Sequence, residues 1–338
     1  MSIPTTYRAA FIEEKDGKFV IKDVQYKKPE AGHVAVKVIA SGVCHSDSIV
    51  QGQHMPTGLP RCPGHEIIGE VVEVPQSEKR WKVGDRVGSG WHGGHCGVCP
   101  SCLRGDFVTC HNENINGIMT DGGHAEYATL RTEALCSVPT DIDAAEAAPL
   151  LCAGVTTFNS LRHMDVHPGD VVAVQGIGGL GHLAVQFSRK MGYKTVALSA
   201  SDSKKDLAAK LGAHEYVDGS KEDQAEALQK LGGAKVIVCT APNPEVINKL
   251  MGGLATDGIL LILAVAGNIE VPMAPMIQKR LSIRGWPSGT PADEEDTIRF
   301  AQAADVHCQV QKFSLDQIQD AYDAMMEGKA RFRSVITF

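Results

Sequence analysis

The sequence predicts an α/β protein with a doubly wound parallel sheet in its middle part and a mostly β domain before it. From about Pro168 onward, apolar strand-like runs alternate with segments of helical periodicity, which is typical of a parallel sheet covered by helices. Up to about Leu150, short apolar runs are broken by glycine and proline, as in an irregular antiparallel β domain. The 338 residues leave room for about two domains.

Four strands are predicted in the middle part, at residues 171–175, 195–198, 236–240 and 259–264. The first strand ends in a glycine turn, after which Leu180, Leu183, Ala184 and Phe187 recur at helical spacing. After about Trp286 the pattern is mixed again. A helix-like stretch at 314–329 precedes a last short strand near the C-terminus.

Charge and hydropathy exclude two classes of partner. Lys+Arg number 33 against 40 Asp+Glu, for a net charge of -7, and no long basic block occurs, so broad capture of nucleic acid or of an anionic membrane is excluded. No apolar run approaches the length of a membrane-spanning helix, and the N-terminus turns polar at once. We therefore expect a cytoplasmic protein that acts on a small molecule.

Four cysteines have the spacing of a structural zinc site. Cys96, Cys99, Cys102 and Cys110 fall within 15 residues, and four thiolates can surround one Zn²⁺ without leaving an open position. His95 and His111 flank the cluster. We interpret both as bystanders, because four thiolates already satisfy zinc.

A second set of potential ligands is spread along the chain. Cys44, His65 and Cys152 can give zinc three protein ligands and leave a fourth position open. Spacing alone does not establish this site. Taken singly, Cys152 also fits a buried small residue and His65 a structural or exposed one.

A glycine-rich loop follows the first predicted strand and opens a helix near His182. This strand-turn-helix context lets the backbone approach a pyrophosphate at the helix N-terminus, as in a Rossmann dinucleotide site. The candidate residues for cofactor contact in this loop are Gly176, Gly178, Gly179, Leu180 and Gly181.

Five motifs occur in the order found in one enzyme family: GVCHSD, GHEIIG, the four-cysteine lobe, CAGVTT and GIGGLG. Across essentially the whole chain the sequence resembles the zinc-dependent medium-chain alcohol dehydrogenases, most closely their microbial and cinnamyl-alcohol-dehydrogenase-like branches. The resemblance implies a GroES-like catalytic domain with a structural-zinc lobe, formed by residues 1–152 and 287–338. A Rossmann domain would span residues 153–286.

The resemblance also implies roles for residues around the metal. Cys44, His65 and Cys152 would bind the catalytic zinc and the four clustered cysteines a second, so that each chain carries two. Glu66 would ligate the first ion transiently, and Asp47 would hydrogen-bond the ligand histidine.

Further roles implied by the resemblance concern substrate and cofactor. Ser46 would contact the alcohol oxygen and take its proton, and Trp91 would line the substrate pocket. His45 and Arg333 would contact the cofactor phosphates, and Thr156 would lie next to the nicotinamide.

The cofactor choice depends on the end of the second strand, where an acidic residue would bind the ribose of NAD. The family pattern places Ser199 at this position, and the loop that follows resembles the phosphate-binding loop of NADP-dependent cinnamyl-type enzymes. Ser199, Ser201, Lys204 and Lys205 supply hydroxyls and positive charge, against the single acid Asp202. The expected cofactor is NADP, with NAD as the alternative.

The sequence departs from the family at the proton relay. Where many members have a histidine, this chain has Ile49, which cannot carry a proton. Two routes stay open: the relay ends at the cofactor ribose and solvent, or His54 approaches from the next turn. Trp286 has two possible places, in the substrate pocket or at a subunit contact.

We thus expect reversible hydride transfer between NADP(H) and a primary or secondary alcohol, or its aldehyde or ketone. One alternative is an NAD-dependent alcohol or polyol dehydrogenase, and another is a noncatalytic zinc- and dinucleotide-binding redox sensor. The resemblance further implies a homodimer or homotetramer.

Overall fold

A computed structural model of the protein describes residues 3–55, 57–265 and 267–338. The strands within these ranges are β1 (Thr6–Ile12), β2 (Phe19–Gln25), β3 (His33–Val43), β4 (Ile67–Glu73), β5 (Arg86–Ser89), β6 (His92–Gly94), β7 (Asn114–Ile115), β8 (Tyr127–Arg131), β9 (Cys136–Ser137), β10 (Val171–Gln175), β11 (Lys194–Ser199), β12 (Glu215–Asp218), β13 (Ala234–Cys239), β14 (Leu254–Ile262), β15 (Ser282–Gly285), β16 (Val310–Phe313) and β17 (Arg333–Thr337). The helices are α1 (Ser48–Gln51), α2 (Pro100–Leu103), α3 (Ala144–Ala147), α4 (Ala153–Arg162), α5 (Gly181–Lys190), α6 (Lys205–Lys210), α7 (Gln224–Lys230), α8 (Pro244–Leu250), α9 (Met273–Lys279), α10 (Pro291–Ala304) and α11 (Ile318–Met326).

The chain divides into two compact units. The first comprises Met1–Val155, Ser288–Ala303 and His307–Phe338, and the second comprises Thr156–Pro287 and Ala304–Val306. The first unit is therefore discontinuous in sequence, because the chain enters the second unit within α4 and returns to the first before α10.

The second unit is built on a six-stranded sheet in the order β12-β11-β10-β13-β14-β15, and all neighbouring strands are parallel. The order reverses between β10 and β13. This is the doubly wound arrangement, in which the carboxyl ends of the strands at the reversal form the ligand crevice. The fold class predicted from the sequence is confirmed.

The central strands of this sheet are covered on both faces. All five residues of β10 are buried, and so are five of the six in β13, as expected for a parallel sheet between helix layers. The predicted helical face of α5 is buried as well. Phe187 on this face packs against Phe158 with ring centroids 5.4 Å apart.

The edge strands β12 and β15 were not predicted. Each has only four residues, and their burial patterns are mixed. Neither therefore has the continuous apolar run that marks the central strands.

The first unit contains a sheet in the order β16-β17-β3-β4-β5-β9, with β8 also pairing with β3. Apart from the parallel pair β16 and β17, its neighbouring strands are antiparallel. Its core is made of buried side chains from the strands, together with Trp81 and Leu135 from the segments between them. They are Val34, Val36, Val38, Ile67, Val71, Trp81, Val87, Ala128, Leu130 and Leu135.

The last strand completes this sheet beside the end of β3. In the β17–β3 pair, Ser334 lies opposite Val43. Cys44 directly follows Val43, and Arg333 directly precedes Ser334. The strand pairing therefore brings Arg333 close to Cys44, although these two residues are far apart in sequence.

Within the described ranges, no helix combines the length and the apolar character needed to cross a bilayer.

We predict that Phe187→Ala destabilises the second unit by about 3–5 kcal/mol, because it empties a fully buried site of an aromatic side chain. Ile277→Ala in α9 is the control, since this side chain is 75% exposed and its loss should change the free energy of unfolding by less than about 0.5 kcal/mol. Urea unfolding measures both. Equal losses in the two variants would contradict the assigned core.

Candidate functional site

Four potential metal ligands from distant parts of the first unit meet at one point. Ligand atoms of Cys44, His65, Glu66 and Cys152 all lie within 4.8 Å of one another. Cys44 follows β3, whereas His65 and Glu66 directly precede β4, so the antiparallel pairing of these strands brings them together. Cys152 lies between a 3₁₀ turn and α4.

The burial of these side chains leaves polar atoms without partners. His65 and Glu66 are fully buried, and no described residue forms a hydrogen bond with either ring nitrogen of His65 or with Glu66 Oε2. A buried polar atom without a partner costs about 1–3 kcal/mol. The sulfurs of Cys44 and Cys152 are 3.9 Å apart, close to the ~3.8 Å edge of a tetrahedron with Zn–S bonds of 2.3 Å. The donor set therefore fits a zinc ion.

The two thiols of this cluster differ in their tendency to ionise. A hydrogen bond from Cys152 lowers the pKa of Cys44 well below its ordinary value, and the same contact raises the pKa of Cys152. Burial opposes ionisation of His65, but Cys44 and Asp47 raise its pKa well above the usual value. Burial raises the pKa of Glu66 to about 7, although Arg333 opposes this shift.

Asp47 lies behind His65. Its Oδ1 is 3.4 Å from His65 Nδ1, and its Oδ2 accepts a hydrogen bond from the backbone N–H of Cys44 at 2.9 Å. A second buried histidine, His124, places Nε2 3.3 Å from the same Oδ2. Despite its burial, Asp47 has a pKa below the usual range because of its contacts with both histidines.

Glu66 is held from the other side by Arg333. The guanidinium Nη2 donates to Glu66 Oε1, and Arg333 is only 4% exposed. Arg333, which we expected to contact the cofactor phosphates, thus forms a buried ion pair with Glu66 in this structure. A Cβ at Gly42 would lie 1.8 Å from Glu66 Oε2, so a larger residue there would displace this carboxylate.

The short turn after Cys44 carries the other predicted site residues of this unit. Ser46 is half-buried there and His45 is exposed. Ile49 packs in an apolar cluster with Trp91, and the Trp91 ring stands edge-on to His65 with centroids 5.2 Å apart. His54 is exposed.

The ring of His54 lies over Gly52, where an added Cβ would come within 2.4 Å of its Nε2.

The four clustered cysteines come together in a separate lobe. Cys96 Sγ lies 4.0 Å from that of Cys102 and 3.6 Å from that of Cys110, and the sulfurs of Cys99 and Cys110 are 3.9 Å apart. These distances also bracket the ~3.8 Å edge of a Zn–S₄ tetrahedron. The metal-ligand group among the described residues contains neither flanking histidine; His95 stacks on Phe107 at 4.0 Å instead.

Two of these thiols differ in their ease of ionisation. Backbone N–H groups of Val98 and Cys99 lower the pKa of Cys96 to about 6. Burial raises the pKa of Cys102 to about 12.

The glycine loop in the second unit has the backbone that its sequence requires. Gly176 adopts a φ of +84°, and a Cβ at Gly181 would lie 1.9 Å from the carbonyl oxygen of Gly176. At Gly178 an added Cβ would meet no protein atom within 4 Å, so the loop is open on that side. Helix α5 begins at Gly181, directing its N-terminal N–H groups toward the loop.

The loop after β11 lies against the glycine loop. Lys204 Nζ donates to the carbonyl oxygen of Ile177 at 2.8 Å. Ser199 is the last residue of β11, and Ser201 Oγ is 2.9 Å from Ser203 Oγ. The carboxylate of Asp202 accepts a hydrogen bond from Lys221 Nζ at 2.7 Å.

Comparisons with known proteins identify the family. The sequence matches the alcohol dehydrogenase GroES-like domain over residues 30–140 and the zinc-binding dehydrogenase domain over residues 179–303. It is 51% identical to alcohol dehydrogenase patD of Penicillium expansum, over 99% of this chain and 98% of the relative. The chain belongs to the zinc-type medium-chain alcohol dehydrogenases.

More distant members support the same assignment of this dehydrogenase. An alcohol dehydrogenase of Geobacillus stearothermophilus is 36% identical, over 97% of this chain and 98% of the length of that relative. The structure of the alcohol dehydrogenase from the archaeon Aeropyrum pernix matches with a TM-score of 0.88 at 29% identity, covering 98% of this chain and 100% of that chain. The family predicted from the motifs is confirmed.

In this dehydrogenase the predicted residues fall into separate groups. Asp47 and Trp91 lie beside the first cluster, which is formed by Cys44, His65, Glu66 and Cys152, and the four clustered cysteines form their own lobe of the first unit. The glycine loop and Lys204 lie together in the second unit. Thr156 is buried near the start of the second unit, in α4. Trp286 stacks on His163 at 4.7 Å.

Sequence reasoning missed two contacts of the dehydrogenase: the histidine behind Asp47 and the arginine beside Glu66. His124 lies in a glycine-flanked segment that carries no ligand spacing. The neighbouring residues in the sequence give no local signal of its contact with Asp47.

We predict that Gly181→Ala weakens binding of the nicotinamide nucleotide at least about tenfold, because the new Cβ would force the start of α5 away from Gly176. Gly285→Ala is the matched control, since a Cβ there meets nothing within 4 Å. Fluorescence titration with NADPH and NADH measures the affinities. Unchanged binding by the Gly181→Ala variant would contradict the close contact between Gly181 and the Gly176 carbonyl.

We predict that, after removal of metal ions, iodoacetamide at about pH 7 alkylates Cys96 faster than Cys102. The reason is that the thiolate is the nucleophile, and only Cys96 has a pKa below this pH. A time course of peptide mass spectrometry measures both rates, with metal-loaded protein as the protected control. Equal rates would contradict the prediction.

Proposed function

We propose that the protein is a zinc-dependent alcohol dehydrogenase and aldehyde reductase that prefers NADP(H). Catalytic chemistry would belong to residues 1–152 and 287–338, and nucleotide binding to residues 153–286. The observation that carries the cofactor assignment is the loop after β11, where hydroxyls and a lysine stand in place of an acid.

Cys44, His65 and Cys152 would hold one zinc ion, with Glu66 as a transient ligand. Cys96, Cys99, Cys102 and Cys110 would hold another, for two ions per chain. A zinc ion at the first site would supply Lewis acidity to the oxygen of an alcohol or carbonyl group. Support comes from the unpartnered buried atoms of His65 and Glu66 and from sulfur separations close to a tetrahedral edge.

The residues of the turn after Cys44 would handle the substrate proton. Ser46 is half-buried, and its hydroxyl can accept a proton from an alcohol or return one to a carbonyl oxygen within hydrogen-bond reach. Ile49 cannot continue this transfer, because it has no ionisable atom and packs with Val50 in an apolar cluster. The proton acceptor after Ser46 is therefore not the side chain at position 49.

The same cluster supports an apolar substrate group. Trp91, Ile49, Met55 and Leu59 are partly buried around one apolar core next to His65. Such a wall favours an alcohol or aldehyde with an aliphatic or aromatic side chain over a polyol, whose hydroxyls would lose their hydrogen bonds against it.

The charges around Ser199 support a 2′-phosphate rather than a free ribose hydroxyl. Asp202 is the acid that would repel a phosphate, but its carboxylate is paired with Lys221. Lys204 is fixed by its bond to the Ile177 carbonyl, which places a positive charge at the glycine loop. Lys205 adds a second positive charge to this loop. His45 and Arg333 stay predictions as further phosphate contacts, and Thr156 as a nicotinamide contact.

A homodimer or homotetramer and a cytoplasmic location also stay predictions.

We predict that reduction of a panel of aliphatic and aromatic aldehydes runs at least about tenfold faster with NADPH than with NADH, which corresponds to about 1.4 kcal/mol. Ser199→Asp should reverse this preference, because an acid there repels the phosphate and binds the ribose. Initial rates at subsaturating cofactor measure it, with Thr256→Asp, exposed near the start of β14, as an added acid elsewhere in the second unit.

A faster reaction with NADH in the unsubstituted protein would overturn the NADP assignment and leave the alcohol dehydrogenase activity standing. No turnover with any aldehyde would favour the polyol dehydrogenase, or the redox sensor if nucleotide still binds.

We predict that Cys152→Ala abolishes turnover and leaves one zinc ion per folded chain, because it removes one of the three ligands of the first site. Cys239→Ala is the control: this thiol is buried in β13, outside both ligand groups, and its loss should leave two ions. Elemental analysis and initial rates measure the outcome. Retained activity in the Cys152 variant would overturn the ligand set.

A further inference from the structure

A chain of polar contacts runs through the interior of the first unit behind the ligand cluster. Ser41 Oγ lies 3.0 Å from His124 Nδ1, and His124 Nε2 lies 3.3 Å from Asp47 Oδ2. Asp47 Oδ1 then faces His65 Nδ1 at 3.4 Å. These four side chains are between 0% and 1% exposed, so water does not compete for their polar atoms.

The two oxygens of Asp47 are used differently. Oδ2 takes both the Cys44 backbone N–H and His124, whereas Oδ1 has no hydrogen-bond partner among the described residues. His65 Nδ1 has none either, and it is the atom that Oδ1 faces. Oδ1 is therefore available as a hydrogen-bond acceptor for the ring of His65.

The protons of this chain follow from its chemistry. An ionised carboxylate only accepts hydrogen bonds, so His124 must carry a proton on Nε2 where it meets Asp47. In a neutral ring Nδ1 is then an acceptor, to which the Ser41 hydroxyl donates. By the same reasoning His65 carries its proton on Nδ1 and leaves Nε2 as the atom with a free lone pair.

His124 is also fixed to the backbone that carries His65. Its N–H donates to the Pro63 carbonyl at 3.1 Å, and the N–H of Gly123 donates to the Gly64 carbonyl at 2.9 Å. Gly64 has a φ of +103°, and a Cβ there would lie 2.8 Å from His124 Nδ1. The ring of His124 thus packs directly on the residue before His65.

We propose that His124 is a positioning residue for the metal centre: its Nε2–H holds Asp47 Oδ2, so that Oδ1 orients His65 with Nε2 available to the zinc ion. This inference rests on the proposed function, which places a zinc ion on Cys44, His65 and Cys152. It assigns a role to a side chain that neither binds the ion nor touches the substrate.

The test is the rate at which a chelator removes each of the two zinc ions. His124→Phe keeps a ring of similar shape but removes the donor, and we expect the ion at Cys44, His65 and Cys152 to be lost about 10–100 times faster. The ion of the four-cysteine lobe should leave at the unchanged rate, so it serves as an internal control. Zinc release to dipicolinate, followed by a colorimetric indicator, gives both rates.

Two more variants separate positioning from packing. His124→Gln retains an N–H donor and should recover much of the slow release. Phe19→Leu removes the ring that packs edge-on against His124, 6.0 Å away, without touching a hydrogen bond, and should release zinc like the unsubstituted protein. In cobalt-substituted protein, His124→Phe should shift the visible absorption bands and Phe19→Leu should not.

Unchanged zinc release and an unchanged cobalt spectrum in the folded His124→Phe variant would overturn the role of His124. Equal acceleration at both zinc sites would overturn it too, because that result indicates general loosening of the first unit. If the unsubstituted protein holds only the lobe ion, the proposed function fails first, and this inference fails with it.

Discussion

The first unit depends on keeping four polar side chains out of water at the junction of β3 and β4. Cys44, Asp47, His65 and Glu66 are buried there, and an ionised or unpaired group in such a place is costly unless a partner reaches it. The surrounding backbone meets this constraint. The Cys44 N–H reaches Asp47, and Gly42 leaves space for the Glu66 carboxylate that a larger residue would fill.

The same constraint explains why the C-terminal strand belongs to the first unit. β17 pairs with β3 and brings Arg333 to Glu66, a partner 267 residues away in sequence. Without that guanidinium the buried carboxylate would lose the ion pair that offsets its charge. Removing one member of such a pair is strongly destabilising, because the charge that is left has no compensation. A return of the chain to this sheet is therefore a requirement of the site as well as of the fold.

Periodicity predicted the elements whose burial is uniform. The bounds of β10 agree with the predicted strand at 171–175, and α5 begins one residue before the expected position. The edge strands β12 and β15 were not predicted because each has a neighbouring strand on one side only. β15, for example, has no fully buried residue. The two clusters of potential metal ligands could be predicted because four cysteines are closely spaced in sequence and the family resemblance supplied Cys44, His65 and Cys152. His124 and Arg333 could not, since their contacts depend on the turn after Pro63 and on the register of β17, which no local pattern encodes.

The charge of the ligand cluster indicates why a dication suits it. Without a metal ion, ionisation of one thiol opposes ionisation of the other. The pKa of Cys44 falls because the Cys152 thiol donates to it, and the pKa of Cys152 rises for the same reason. Two buried thiolates 3.9 Å apart repel each other, so protons permit one negative charge there and not two. A divalent cation cancels both charges, and Glu66 is already balanced by Arg333. Zinc binding would thus let both thiols ionise in a site that stays close to neutral, and a monovalent ion would not.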